Sequence, residues 1–191
     1  MVSTEARNLA LLIVGGLVVG TALSTVYVYG VPLTLLLLQS NAAVYHGAYW
    51  QLLTSLVVAP PDAGGVTDVL FNALALIWLD RLMAGAFEPG EYYAAFVLSG
   101  LAGNLASMLG GPDIISFGAS GGIFGLLACA IAEGFVAERR FNVSLASWFL
   151  LVFAFSSFAL PDVDWLAHLG GALFGALIGC YLGLRRRDSP L

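Results

Sequence analysis

Residues 117–136 read FGASGGIFGLLACAIAEGFV, a run of twenty with one ionisable side chain, Glu133. A helix rises 1.5 Å per residue, so roughly 20 mostly apolar residues cross the hydrocarbon core of a bilayer. The run is too long for a strand and contains no proline. Comparable apolar segments lie at 8–29, 66–85, 91–110, 143–160 and 164–184. Together they predict an all-α membrane protein, one domain over residues 1–191 with six transmembrane helices and one large loop at about 29–65. Composition agrees, with 60% hydrophobic and 10% charged residues, against about 25% charged in soluble domains. The first segment is expected to be an anchor and not a cleaved signal, because it is long and further crossings follow it.

The charges orient the bundle. All seven basic residues are arginines: Arg7, Arg81, Arg139, Arg140, Arg185, Arg186 and Arg187. With six crossings they fall on one side of the membrane, while Asp62, Asp113, Asp162 and Asp164 lie in the opposite connections. The positive-inside rule then predicts a multi-pass protein of the cell membrane with both termini cytoplasmic. The net charge of −5 argues against nucleic acid as a partner. Cys129 and Cys180 have neither disulfide nor metal-ligand spacing and are expected to pack as small hydrophobes. No metal and no cofactor is implied.

In this topology Asn72, Ser120 and His168 share a depth, each one or two turns below the outer end of its helix. An ionisable group is expensive at bilayer depth, so a histidine there is expected to face the protein interior and carry a function. A serine hydroxyl becomes a nucleophile when a positioned base takes its proton, and histidine is the usual base. Ser120 would attack, His168 would accept the proton, and the Asn72 amide with the Ser120 backbone N–H would hold the oxyanion. Asp164 precedes His168 by four residues and is expected to cap the last helix. The i,i+4 pairs Gly118/Gly122 and Gly121/Gly125, with Gly171, Gly175 and Gly179 on the last helix, would let two helices approach closely. Each feature alone reads as packing. Their common depth is what points to chemistry.

Gly118-Ala119-Ser120-Gly121, Ala167-His168-Leu169-Gly170-Gly171 followed by Gly175 and Gly179, and Leu70-Phe71-Asn72 resemble the rhomboid intramembrane serine proteases. The resemblance covers the second to sixth helices. It implies a six-helix rhomboid-like bundle, a Ser120–His168 catalytic dyad without a third acid, and cleavage of single-span membrane proteins near the outer face. It implies oxyanion donors around Asn72, the Ser120 N–H and Gly118, supporting roles for Gly121 and Gly171, and Phe124 packed on the imidazole. Three positions depart from the family pattern. Trp50-Gln51 stands where many relatives carry Trp-Arg, Asp68 stands where a histidine helps hold the oxyanion, and a histidine late in the first loop is absent from Ser55–Pro60.

The loop aromatics Tyr45, Tyr49 and Trp50, with His46, are expected to lie at the lipid interface. The fifth helix carries Trp148, Phe149, Phe153, Phe155 and Phe158 without a glycine motif and is expected to act as a moving gate for substrate. Two other classes compete: a rhomboid-like pseudoprotease that binds membrane proteins without cutting them, and a small transporter. No repeat relates the two halves, which disfavours the transporter. There is no HExxH motif and no pair of intramembrane aspartates on facing helices, which disfavours other intramembrane proteases.

Overall fold

A computed structural model describes residues 3–81, 83, 87–159 and 163–188. Six long helices carry the fold, joined by short elements: α1 (Thr4–Ser24), α2 (Asn41–Tyr45), α3 (Gln51–Thr54), α4 (Ala63–Leu79), α5 (Pro89–Ser107), α6 (Ser120–Glu138), α7 (Val143–Ala154) and α8 (Trp165–Arg187). After α7 the chain widens into a π-helical turn at Phe155–Ala159. Four of the helices, α1, α5, α6 and α8, are long and apolar enough to cross a membrane, and α4 and α7 are shorter apolar helices. The expected ends of the second segment at 85 and of the fifth at 160 lie outside the described residues.

Polar caps set most of the helix starts. Ser3, Asp62, Asn142 and Asp164 each accept a first-turn N–H, from Ala6, Gly65, Leu145 and Ala167 respectively. Asp164 is thus the cap that its position predicted. The first helix starts at residue 4, not at 8, because the Ser3 cap holds a polar first turn that an apolar window leaves out. It ends at Ser24, not at 29. The apolar residues Tyr27–Val28 and Val31–Pro32 instead form a two-stranded hairpin, β1 and β2. Tyr29 and Gly30 turn it with φ of 50° and 81°.

The α5, α6 and α8 helices form the centre, and α8 lies along α6 on a ladder of small residues. A Cβ built on Gly171 would sit 2.1 Å from the Gly121 carbonyl oxygen. One on Gly175 would sit 2.1 Å from that of Gly125, and one on Gly179 2.2 Å from that of Cys129. These are backbone-to-backbone contacts that no side chain could share. Cys129 is fully buried and forms the third rung. The α5 helix enters the same centre through Gly103, whose added Cβ would meet the Ala167 carbonyl oxygen at 2.4 Å.

At the far end of this centre from Ser120, Arg186 of α8 bonds Glu133 of α6 at 2.7 Å and also pairs with Glu91 of α5. Ser3 bonds the Asp80 carboxylate from the backbone N–H at 2.7 Å and the hydroxyl at 2.6 Å. These bonds join the start of α1 to the end of α4, and the end of α8 to α6 and the start of α5. Replacing Arg186 by Met leaves Glu133 nearly buried without its cation. Allowing for partial exposure, the loss is expected to be about 2 kcal/mol, read as a lower unfolding midpoint in mild denaturant. An unchanged midpoint would show that the cluster is stabilised without the guanidinium.

The segment between α1 and α4 is not a solvated loop. Strand β3 (Gln39–Ser40) pairs with β4 (Ile115–Ser116), the strand that leads into α6. Buried amides fasten the segment to α5: Asn41 donates to the Ser107 and Gly111 carbonyls, Gln39 to that of Asn104, and Asn104 to the Leu52 carbonyl and the Ser55 hydroxyl. Gln51 accepts from the Ser40 N–H and donates to the Leu36 carbonyl, which also takes the Trp50 indole N–H. A neutral side chain thus fills the Gln51 position by structural bonding. Tyr45, Tyr49 and Trp50 are exposed, consistent with an interfacial position.

Candidate active site

The stretch that leads into α6 places the nucleophile candidate. Gly118 has a φ of 105°, a conformation open to glycine and unfavourable to other residues. The helix therefore starts at Ser120 and not at Phe117 as the apolar run predicts. Its N-cap is Ala119, whose side chain cannot accept a hydrogen bond. First-turn N–H groups have no intrahelical acceptor, and those that begin at Ser120 have no side-chain cap. They carry the positive end of the helix dipole.

Across the ladder, His168 lies one turn into α8 and is buried. Its Nε2 is 2.8 Å from the Ser120 Oγ. Close approach of the two helices makes this distance possible, because Gly171 and Gly121 meet one turn further along. The Phe124 ring packs on the imidazole with centroids 4.7 Å apart, and Phe153 of α7 lies behind it at 6.3 Å. Phe124 and Phe153 themselves pack edge-to-face at 5.2 Å. The base candidate is walled by aromatic rings on the α7 side.

Asn72 is buried on α4, and its side-chain amide lies beside the Asp68 carboxyl on the preceding turn. One turn earlier, the Asp68 carboxyl lies against the Gly118 backbone, where a Cβ on Gly118 would meet its Oδ2 at 2.5 Å. Asp68 thus borders the turn that presents Ser120. The expectation for Gly118 changes: its N–H donates to the Ser55 carbonyl at 2.9 Å and is not free for an oxyanion. Gly118 instead shapes the turn and ties it to the first loop. His46 is exposed and does not bond to the site.

Such an arrangement can do acyl-transfer chemistry: a hydroxyl at the first residue of a helix without a side-chain cap, in contact with an imidazole. The family model described as Rhomboid domain matches residues 46–185, which span the second half of the first loop, Asn72, Ser120 and His168. The chain belongs to the rhomboid family. It is a multi-pass membrane protein of all-α, rhomboid fold. Among its relatives, the Rhomboid protease GluP of Bacillus subtilis (strain 168) is 26% identical over 154 residues, 79% of this chain and 29% of that protein. RHOMBOID-like protein 1 of Arabidopsis thaliana is 32% identical, over 74% of this chain and 36% of its own. Inactive rhomboid protein 2 of Homo sapiens is 39% identical, over 68% of this chain and 15% of its own. This rhomboid therefore spans about a third or less of the length of these relatives, and they include a protease and an inactive protein.

One residue of the site was not legible in the sequence. Ser157, buried in the π-helical turn after α7, has its Oγ 2.8 Å from the His168 Nδ1. A serine in an apolar helix usually bonds its own backbone, so only the structure brings it to the imidazole.

Proposed function

We propose that this rhomboid is an intramembrane serine endopeptidase that cuts single-span membrane proteins near the outer face of the cell membrane, through a Ser120–His168 dyad. The observation that carries the reading is the 2.8 Å contact between the Ser120 hydroxyl and the His168 Nε2. In the acylation step Nε2 takes the Oγ proton as Oγ bonds the scissile carbonyl carbon. The carbonyl oxygen becomes an oxyanion, and the Asn72 amide and the Ser120 N–H receive it. His168 then passes the proton to the departing amide nitrogen as the C–N bond breaks. Water, activated by the same imidazole, hydrolyses the acyl-enzyme and restores the dyad.

Six membrane crossings with both termini cytoplasmic complete the proposal. Supporting it, the arginine-bearing helix ends cluster opposite the Ser120 turn, so an inward-facing arginine end leaves the site open to the external side. The test is reconstitution in proteoliposomes with a set of single-span reporter proteins. Cleavage that releases outer fragments, and that Ser120→Ala abolishes, supports the reading. Stable capture of reporters with no cleavage would favour a binding-only rhomboid, the reading to which the 39% identity with an inactive relative and Asp68 lend weight.

Substrate entry is proposed to occur past α7, which lacks a glycine ladder and holds to the site through the Phe149 and Phe153 rings. Replacing Phe153 by Ala removes a wall of that contact. Cleavage of a membrane reporter is expected to rise a few-fold, while reaction of Ser120 with a small soluble phosphonate stays the same. A slower reporter rate at unchanged phosphonate reactivity would count against a gate at α7.

A further inference from the structure

We propose that Ser157 is a positioning residue that sets which imidazole nitrogen of His168 carries the proton; the proposal rests on the dyad reading above. Among the described residues the side-chain partners of this ring are Ser120 at Nε2 and Ser157 at Nδ1, each at 2.8 Å. Elsewhere the ring meets Phe124 and Phe153, which accept no conventional hydrogen bond. A neutral imidazole has one N–H and one acceptor nitrogen. To take the Ser120 proton, Nε2 must be the acceptor, so the N–H must sit on Nδ1 and donate to the Ser157 Oγ. In serine hydrolases with a triad a carboxylate does this work. Here a neutral hydroxyl does it: Asp164 caps α8 through Oδ1, and its buried Oδ2 makes no hydrogen bond to the ring among the described residues.

Helical spacing delivers the hydroxyl: Ser157 follows Phe153 by four residues and Phe149 by eight, which puts it on their face. It lies in the π-helical turn and is buried there, while Phe155 and Phe158 are exposed. The bond crosses from α7 to α8, so it exists only while those two helix ends are packed together.

Removing the hydroxyl has a directional consequence. In Ser157→Ala an Nδ1–H would point into apolar surroundings, and a buried unpaired donor is unfavourable. The proton instead settles on Nε2, where the Ser120 Oγ can accept it. That tautomer cannot act as a base toward Ser120.

Nitrogen-15 NMR of histidine-labelled protein reads this directly, since the chain has two histidines and His46→Gln leaves one. In the His46→Gln protein His168 is expected to show a protonated Nδ1 and an unprotonated Nε2. Ser157→Ala is expected to exchange the two signals and to lower kcat for reporter cleavage by about ten-fold or more with KM unchanged. Ser157→Thr, which keeps the hydroxyl, is expected to keep both wild-type signatures. A protonated Nε2 in the starting protein, or a Ser157→Ala spectrum and rate equal to it, would overturn the proposal. The tautomer is read without turnover. A chain that shows the exchange yet cleaves nothing refutes the protease reading alone, and one that cleaves with an unmoved spectrum refutes only the role of Ser157.

Discussion

Ser120→Ala is expected to lower the rate of reporter cleavage by about 10⁴-fold or more, His168→Ala to lower it comparably, and the double variant to fall no further. A 10⁴-fold loss corresponds to about 5.4 kcal/mol of transition-state stabilisation. The losses do not add because the two side chains perform one act: without the imidazole the hydroxyl keeps its proton, and without the hydroxyl the imidazole has nothing to deprotonate. Whatever rate remains comes from the oxyanion donors and from water. Both residues sit at helix starts whose backbones are held by other contacts, Gly118 to Ser55 and Asp164 to Ala167, so neither substitution should unfold the bundle. Initial rates in proteoliposomes, with unfolding midpoints as a check on folding, measure this. Losses that multiply in the double variant would mean that the residues act independently and would break the dyad.

Gly175→Leu is expected to lower stability by about 3 kcal/mol and to remove activity with it. At Gly175 an added Cβ lies 2.1 Å from the Gly125 carbonyl oxygen and 2.5 Å from the Gly125 Cα. Both are backbone atoms, so relief comes only by moving α8 off α6. Gly171→Ala makes the same intrusion against Gly121, beside the dyad. There the expected result is an activity loss larger than its stability loss explains, because opening this rung separates Ser120 from His168. Gly15 supplies the control, since an added Cβ there meets nothing within 4 Å, and Gly15→Ala should leave midpoint and rate unchanged. A Gly175→Leu protein with both properties intact would show that the ladder contributes little to the fold.

What was legible in the sequence follows from which physical constraints leave a local trace. Ser120 and His168 could be read because a titratable group in an apolar run has few structural excuses, and the glycine spacing reports backbone contact directly. The Cys129 rung and the α5 side of the centre left no such mark, since a cysteine or alanine in an apolar helix looks like any small residue. Gly118 was read for its sequence neighbours, whereas its positive φ goes with a helix that starts three residues later than the apolar run suggests. The first loop reads in sequence as an interfacial element through its aromatics, and its polar residues carry no sign of what they bond. Their bonds reach 49 to 70 positions away, from Asn104 to Ser55 and from Asn41 to Gly111, and no local pattern announces such pairs. Ser157 was hidden by the tolerance of apolar helices for serine, although its spacing from Phe149 and Phe153 puts it on their helical face.

Asp68 ties these points together. In the sequence it marks a departure at the oxyanion side; in the structure it packs on the Gly118 turn that presents Ser120. In the proposed mechanism the oxyanion would depend on Asn72 and on the α6 N–H groups, which sit on the buried face of α4 and at a helix start without a side-chain cap.

Reaction of the purified protein with a fluorophosphonate, followed by peptide mass spectrometry, tests the central claim most directly. The account predicts one covalent adduct on the Ser120 Oγ, absent from Ser120→Ala and strongly slowed in His168→Ala. An adduct that persists in Ser120→Ala, or a wild-type protein that stays unlabelled across detergents and pH, would contradict it.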